Sequence, residues 1–258
     1  MTHPAYGVPR PVSAVASVVL ENNPSSMTLE GTNTWVLRAP GTRECVVVDP
    51  GYQDVEHLRV VRDAGPVALI LLTHDHPDHV EGAPWLAAET GAPVRAFAGA
   101  LCRDAAAFGD GTLISAAGLD IEVLYTPGHT GDSVSLRLEH EGRAQVLTGD
   151  TVLGRGTTVL SDLGAYLASL RTLAAVPEGT LGLPGHGPEL PDLAATAREY
   201  LAHREQRLDQ VRAALSRLGP DATARQVVEL VYADVDRALW VPAEASVRAQ
   251  LDYLRAAE

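Results

Sequence analysis

The sequence contains no lysine, so all 20 of its basic residues are arginine. This absence excludes a mechanism built on a lysine Schiff base or on a lysine–phosphate contact. Only two cysteines occur, Cys45 and Cys102, which disfavours both a disulfide framework and a thiolate metal site. Cys45 lies in the apolar run Glu44–Val48, where we expect it to be a small, buried, hydrophobic side chain.

Positive charge and long apolar segments are also scarce. The net charge of -13 argues against a large nucleic-acid footprint, which normally requires a basic face. No run of residues approaches the roughly 20 apolar positions of a membrane span, and the N-terminus has no charged-then-apolar signal region. We therefore expect a cytoplasmic protein with no membrane partner. The 258 residues suit one large domain, or one domain with a small appendage.

Metal-ligand side chains are concentrated in Thr73–His79, which holds three histidines and two aspartates. The segment follows Val67–Leu72, an apolar run that predicts a buried strand, and it precedes a predicted helix, Val80–Glu89. A turn rich in histidine is often only a solvated loop. Four ligand-type residues in six positions directly after a buried strand favour a metal site instead.

The spacing within this segment predicts two metal positions. His74 and His76 are two residues apart, so an extended backbone directs both imidazoles to the same side. Pro77 then turns the chain and can direct Asp78 and His79 to a second point nearby. Two imidazoles at one point and an Asp-His pair at another suit two adjacent metal ions.

Three further candidates occupy similar turns. His129, Asp150 and His186 each follow an apolar segment and lie among glycine, proline or threonine. A single residue of this kind is usually only part of a turn, but strand ends along one sheet edge meet in space. The predicted ligand set is therefore His74, His76, Asp78, His79, His129, Asp150 and His186.

Other polar residues near these turns have two interpretations. Asp49 ends a predicted strand before Pro-Gly, where it is either a turn residue or a group that orients a ligand. Thr130, Asp132 and Ser133 either hold His129 in one tautomer or only form a turn.

The remaining pattern alternates strands and helices. The first twelve residues, rich in Pro and Gly, predict a loose arm. His57 is expected at the surface of its helix, and a loop-rich span is expected up to Gly111. Strands are predicted at 13–20, 31–37, 44–48, 94–97, 119–125, 135–138, 144–147 and 181–183, and helices at 55–64, 163–175, 193–218, a segment capped by Asp221 or Thr223 and ending at 232, and 243–256.

The order His-x-His-x-Asp-His, followed by single His, Asp and His residues in separate turns, resembles the metallo-β-lactamase superfamily over residues 13–190. The resemblance implies an α/β fold class, an αββα sandwich with the site along one edge. It implies that His74, His76 and His129 hold one zinc ion, that Asp78, His79 and His186 hold a second, and that Asp150 bridges both. Iron and manganese are alternatives to zinc. The activity implied is hydrolysis by a metal-bridging hydroxide, with Asp78 and Asp150 as the catalytic carboxylates.

A narrower resemblance suggests the substrate. Residues 27–34, residues 156–159 and the helical tail resemble the β-lactamase-like endoribonuclease group and its bacterial relatives, which implies cleavage of single-stranded RNA. Fungal polyketide-releasing thioesterases are similar over the same stretches. True β-lactamases usually have Cys or Ser at the position of Asp150, which disfavours antibiotic hydrolysis.

Several functions therefore remain open. A small-molecule ester or thioester substrate, as in glyoxalase II or acyl thioesterases, suits an acidic protein no worse than single-stranded RNA does. A persulfide dioxygenase-like oxidoreductase would use two histidines and one aspartate around a single iron. A nucleic-acid-binding module with a structural metal would need a closed site, whereas a bridging carboxylate predicts open positions.

The chain is expected to divide into a catalytic domain, 1–190, and a C-terminal helical, winged-helix-like subdomain, 191–258. The resemblance implies that this tail helps to shape the substrate cleft, and the alternative is a helical cap that only stabilises the core. The long helix of the tail is expected to carry an ordinary solvated face. Its arginines on that face are Arg198, Arg204, Arg207, Arg212 and Arg217.

Overall fold

A computed structural model describes residues 5–234, 236–237 and 240–256. Residues 1–4 of the predicted N-terminal arm, and residues 257–258 of the predicted tail, lie outside this description. The strands are β1 Arg10–Pro11, β2 Ala16–Leu20, β3 Asn33–Leu37, β4 Cys45–Val48, β5 Val67–Leu71, β6 Val94–Arg95, β7 Leu113–Ala116, β8 Leu119–Tyr125, β9 Val134–His140, β10 Arg143–Gly149 and β11 Leu181–Pro184.

Helices alternate with these strands and then form the C-terminal region. Aspartates cap three of the helices, because Asp54, Asp162 and Asp192 each accept a hydrogen bond from a first-turn backbone N–H. The helices are α1 Val55–Asp63, α2 Pro77–Val80, α3 Ala83–Thr90, α4 Leu163–Ala174, α5 Leu193–Leu218, α6 Ala224–Val231 and α7 Trp240–Ala256.

The strands form two sheets. The first has the order β1-β2-β3-β4-β5-β6, with parallel pairing at β4–β5 and β5–β6 and antiparallel pairing elsewhere. The second has the order β11-β10-β9-β8-β7, and only β10–β11 is parallel. The parallel pairs place the carboxyl ends of β4 and β5, and those of β10 and β11, beside each other.

Alternation along the strands separates three apolar layers. In β4, Val46 and Val48 face the second sheet, whereas Cys45 and Val47 face the helices on the outside. Helices α1 and α3 cover this outer face, and α4 and α5 cover the outer face of the second sheet. The architecture is therefore the predicted αββα sandwich, and Cys45 is fully buried as expected.

The C-terminal helices are joined to this sandwich by packing. The beginning of α5 belongs to the same apolar cluster as α4, and its later turns pack with α6 and α7 in a separate cluster. A capping box between Thr223 and Gln226 begins α6, at one of the two predicted caps. The predicted division between residues 190 and 191 stays a prediction. No helix among the described residues has the length and apolar character needed to cross a membrane.

Local differences from the sequence prediction have identifiable causes. The predicted helix 80–89 is two helices, because Gly82 separates α2 from α3 and donates its N–H to the carbonyl of Gly51. Strand β7 lies just beyond the loop-rich span and pairs with β8, which residues 113–116 do not reveal by themselves. Two residues of the expected loose arm, Arg10 and Pro11, pair with β2 as an edge strand.

Two polar residues are buried where the sequence predicted exposure. His57 is only 4% exposed because α1 packs it against β3, where its Nε2 lies 2.9 Å from the hydroxyl of Thr34. Arg204 is also only 4% exposed, because α5 crosses α4 and covers it with Tyr166. A polar residue on an amphipathic helix is misassigned when a second element covers the face that the pattern assigns to water.

The buried His57 gives the fold a measurable pH dependence. Burial lowers the pKa of His57 from 6.5 to about 4, so the ring is neutral when folded and binds a proton when unfolded at pH 5. The contribution of His57 is therefore present above pH 6.5 and lost as the pH falls toward 4. We expect His57→Gln to remove about 2 kcal/mol of the difference in unfolding free energy between pH 7 and pH 5.

Urea unfolding of the wild-type and variant proteins at both pH values measures this difference. The amide NH2 of Gln can still donate to the Thr34 hydroxyl. The variant therefore removes the titrating ring without removing the donor of this hydrogen bond. An equal pH dependence in the two proteins would refute the assignment to His57.

Candidate metal centre

The seven predicted ligands lie together at one edge of the sandwich, in the segments that follow four strands. The turn after β5 supplies His74, His76, Asp78 and His79, and the segments after β8, β10 and β11 supply one residue each. Backbone bonds join these segments, since Gly185 donates to the carbonyl of Gly149. The fold therefore assembles one site from residues separated by up to 112 positions, His74 to His186.

Three imidazoles converge on the first point. His76 Nδ1 lies 3.1 Å from His74 Nε2 and 3.0 Å from His129 Nε2. His76 is half-buried, whereas His74 and His129 are buried, so the group is open to solvent on the side of His76. These three nitrogens form a group able to hold a metal ion.

A second group lies beside the first. Asp78, His79 and His186 bring their ligand atoms together, with His186 Nε2 3.2 Å from Asp78 Oδ2 and 3.4 Å from His79 Nε2. Asp150 lies between the two groups. Its Oδ2 is 3.2 Å from His186 Nε2 and 3.7 Å from His129 Nε2, and its Oδ1 is 3.5 Å from His79 Nε2.

A hydrogen bond at Nδ1, the nitrogen that points away from the site, fixes the tautomer of His129 and of His186. His129 Nδ1 lies 2.8 Å from the carbonyl of Val159 and 3.0 Å from the hydroxyl of Thr158, and His186 Nδ1 lies 3.1 Å from the carbonyl of Gly31. A carbonyl only accepts, so Nδ1 carries a proton in both rings, and Nε2 is the nitrogen that faces the site.

Asp49 organises the other side of the site. It accepts hydrogen bonds from the Thr73 N–H, from the Thr73 hydroxyl at 2.6 Å, and from His79 Nδ1 at 2.9 Å. Because the Thr73 hydroxyl donates to Asp49, its oxygen is left to accept from His74 Nδ1 at 3.0 Å. Asp49 thus orients both His74 and His79, which supports the second of its two interpretations.

These hydrogen bonds test whether a cation suits the site. His74 and His129 both direct Nε2 lone pairs toward His76 Nδ1, and at most one proton on that nitrogen can be shared between them. The buried Asp150 Oδ1 has no hydrogen-bond partner among the described residues. Converging lone pairs and an unpaired carboxylate oxygen are what a divalent cation satisfies, so the residues fit a metal.

The burial and charges of the site residues set their protonation states. Burial and the charge of His79 hold the pKa of His74 well below 6.5, so His74 is neutral. Burial alone would lower the pKa of His186, but Asp150 and Asp78 raise it to about 10. Burial alone would raise the pKa of Asp78, but the hydrogen bond with His186 and the charge of His79 lower it to about 2. Both Asp78 and Asp150 are therefore ionised, as metal ligands must be.

Sequence reasoning missed several residues that shape the site. Gly185 is one, because a Cβ there would lie 2.5 Å from Asp150 Oδ1 and 2.8 Å from His79 Cε1. Thr158 and Val159, which hold His129, were visible only as part of the narrower resemblance over 156–159. Thr32 donates to Asp78 Oδ2 at 3.1 Å from a loop that precedes β3.

The expected alternative partners of His129 have other contacts. The Thr130 hydroxyl lies 2.7 Å from Asp132 Oδ1 and 2.7 Å from the Ser133 hydroxyl. These recorded bonds lie within the turn itself, which favours the turn interpretation of these three residues.

Comparison with known proteins identifies the family. Residues 27–186 match the metallo-beta-lactamase superfamily, and residues 223–258 match the beta-lactamase associated winged helix domain. The chain belongs to the metallo-beta-lactamase superfamily, whose members are generally hydrolytic enzymes. The predicted sandwich with a C-terminal winged-helix region is confirmed.

Individual proteins and one solved structure are similar to the chain over most of its length. The beta-lactamase-like protein 2 homolog of Drosophila melanogaster is 32% identical over 257 residues, covering 92% of this chain and 86% of the fly protein. The lactamase-like protein adaB of Aspergillus niger is 35% identical over 212 residues, which are 80% of this chain but only 65% of the fungal protein. A beta-lactamase domain protein from Burkholderia ambifaria has the same fold, with a TM-score of 0.83, 23% identity and coverage of 99% of this chain and 90% of the other.

The role of Asp49 can be tested with one atom changed. Asp49→Asn replaces an acceptor oxygen by an NH2 group, which only donates and so cannot accept the hydrogen bond from the Thr73 hydroxyl or the one from His79 Nδ1. We expect metal affinity to fall by about 10- to 100-fold, as is typical when a residue that orients a metal ligand is changed.

Metal content after dialysis against a graded chelator measures the effect. The matched control is Asp54→Asn, which makes the same chemical change at the cap of α1, where Asn also caps well. Equal metal retention in Asp49→Asn and Asp54→Asn would contradict the role given to Asp49.

Proposed function

We propose that this protein is a metal-dependent hydrolase with two zinc ions. His74, His76 and His129 would hold one ion, and Asp78, His79 and His186 the other, with Asp150 contacting both. The observation that carries the proposal is the position of Asp150 between the two groups. Its Oδ2 lies 3.2 Å from His186 Nε2 and 3.7 Å from His129 Nε2, and its buried Oδ1 has no hydrogen-bond partner among the described residues. The ligands are nitrogen and oxygen atoms only, so iron or manganese would also be accommodated.

Metal ions bound here would supply Lewis acidity, which activates a water molecule near neutral pH and polarises the substrate. The residues of the chain prepare the site for this chemistry. Asp78 and Asp150 stay ionised and offset the charge of two divalent cations. The hydrogen bonds at Nδ1 of His129 and His186 direct each Nε2 toward the site, and the half-buried side at His76 leaves an approach for substrate.

Single-stranded RNA is the first substrate class that we propose. Its support is the narrower sequence resemblance at residues 27–34 and 156–159 and the winged-helix match of residues 223–258. The Drosophila relative supports a shared architecture throughout the chain, because the similarity extends over 92% of it.

Thioester hydrolysis is the second candidate, and the charge of the tail favours it. Residues 191–258 contain nine arginines and eleven acidic residues, so the tail lacks the basic excess of a groove that follows a nucleic-acid backbone. The chain spans 65% of the length of its Aspergillus niger relative, so that protein's whole activity is not transferred to it.

His76→Ala tests the hydrolase assignment. The ring of His76 lies at the open side of the site and contacts His74 and His129, with ring centroids 4.7 Å and 4.6 Å apart. We expect the variant to fold, to bind less metal and to lose hydrolysis by at least about 100-fold, since one ligand of three is removed. His140→Ala, at the far end of β9, is the control. Unchanged turnover in His76→Ala would refute the assignment.

The substrate class is decided by a parallel assay of the metal-quantified protein. The substrates are a short single-stranded RNA, an acyl thioester and a β-lactam. We expect RNA cleavage that is lost with chelator and restored by zinc. Metal-dependent thioester hydrolysis without RNA cleavage would replace the first substrate class by the second. One iron per chain, without hydrolysis, would instead favour the oxidoreductase alternative.

A further inference from the structure

Arg204 is a buried cation without a recorded acidic partner. It lies on α5, is 4% exposed, and is absent from the ion pairs found among the described residues. Its Nε also has no hydrogen-bond partner among the described residues. Burial of a charge without a carboxylate partner costs free energy, so packing alone does not explain an arginine at this position.

The contacts of Arg204 lead toward the metal centre. Its Nη2 donates to the carbonyl of Thr158 at 2.6 Å, and its guanidinium lies over the ring of Tyr166, 5.3 Å from the centroid. The face of an aromatic ring attracts a cation and partly replaces the missing carboxylate. The hydroxyl of Tyr166 in turn donates to the carbonyl of Thr151, the residue after Asp150.

Tyr200 lies one turn before Arg204 on the same helix and holds the same segment. Its hydroxyl donates to the carbonyl of Gly156 at 2.7 Å and lies 3.3 Å from the N–H of Leu153. Residues 154–160 form neither helix nor strand, and Gly156 has a positive φ of 74°. A segment without its own backbone ladder depends on such side chains for its position.

Residues 158 and 159 of this segment carry the two groups that orient His129. The Thr158 hydroxyl and the Val159 carbonyl lie 3.0 Å and 2.8 Å from His129 Nδ1. Arg204 binds the carbonyl of Thr158, which belongs to the same residue as the hydroxyl and precedes the carbonyl of Val159 by one residue. We propose that α5 positions His129 for metal binding through residues 154–159, with Arg204 and Tyr200 as the positioning residues. The proposal rests on the metal centre proposed above.

The experiment compares three variants of the full chain with the wild type. Arg204→Met removes the donor but keeps an unbranched side chain and a favourable sulfur contact with Tyr166, and Tyr200→Phe removes only a hydroxyl. The control is Arg198→Ala, because Arg198 is half-exposed on the same helix and lies 3.9 Å from Glu178. Each protein is measured without metal, by NMR of 15N-labelled histidine, and then by titration with Co2+ followed by its absorption spectrum.

We expect the hydrogen-bonded Nδ1–H signal of His129 to be lost or displaced in Arg204→Met and Tyr200→Phe. Signals of the other site histidines should stay unchanged. Affinity for the Co2+ ion at the three-histidine group should fall about tenfold, with the second ion unaffected. The melting temperature of Arg204→Met should not fall, since an apolar side chain replaces a buried cation that has no recorded acidic partner. The control should match the wild type throughout.

Wild-type His129 signals and Co2+ affinity in folded Arg204→Met would overturn the proposal, and so would a lower melting temperature with an unchanged His129 signal. If Arg204→Met does not fold, Tyr200→Phe decides by the same two measurements. A wild-type protein that binds no Co2+ would remove the proposed metal centre. The metal-free spectra would still show whether α5 positions His129, so the two failures are distinguishable.

Discussion

The crowding of lone pairs and ionised carboxylates at one sheet edge is the constraint on which the rest of the structure depends. His74 and His129 direct unprotonated nitrogens toward the same point, and Asp150 presents a buried oxygen without a partner. Such an arrangement repels itself unless protons or cations compensate it. Asp150 and Asp78 raise the pKa of His186 to about 10, so a proton on His186 offsets part of the carboxylate charge. Metal binding must displace this proton, which links metal affinity to pH.

A sandwich of two sheets suits this constraint because its strand ends are rigid while its loops are free to carry polar groups. The parallel pairs at β4–β5 and β10–β11 bring Asp49 beside the segment Thr73–His79 and Asp150 beside His186. Four of the histidines, His74, His79, His129 and His186, are each oriented by a hydrogen bond at Nδ1. Asp49 itself has a φ of 51°, an uncommon backbone conformation for a residue other than glycine. Its three hydrogen bonds to Thr73 and His79 maintain this conformation.

The C-terminal helices also contact a segment that borders the site. Helix α5 packs on α4 through an apolar cluster, and its polar residues Tyr200 and Arg204 bind the irregular segment that follows Asp150. The tail is therefore not only a cover for the second sheet.

The sequence by itself predicted every strand except β1 and β7, most helix bounds and all seven residues that meet at the site, because alternating apolar runs and turn residues are local signals. It also identified the superfamily, because the spacing His-x-His-x-Asp-His can be read from the sequence without any knowledge of contacts. Tertiary structure alone decided the burial of His57 and Arg204, the partners of His129 and the role of Asp49. These depend on which element covers a helix face and which loop reaches a ring nitrogen. Such contacts join residues up to 46 positions apart, as between Thr158 and Arg204, and no local pattern encodes them.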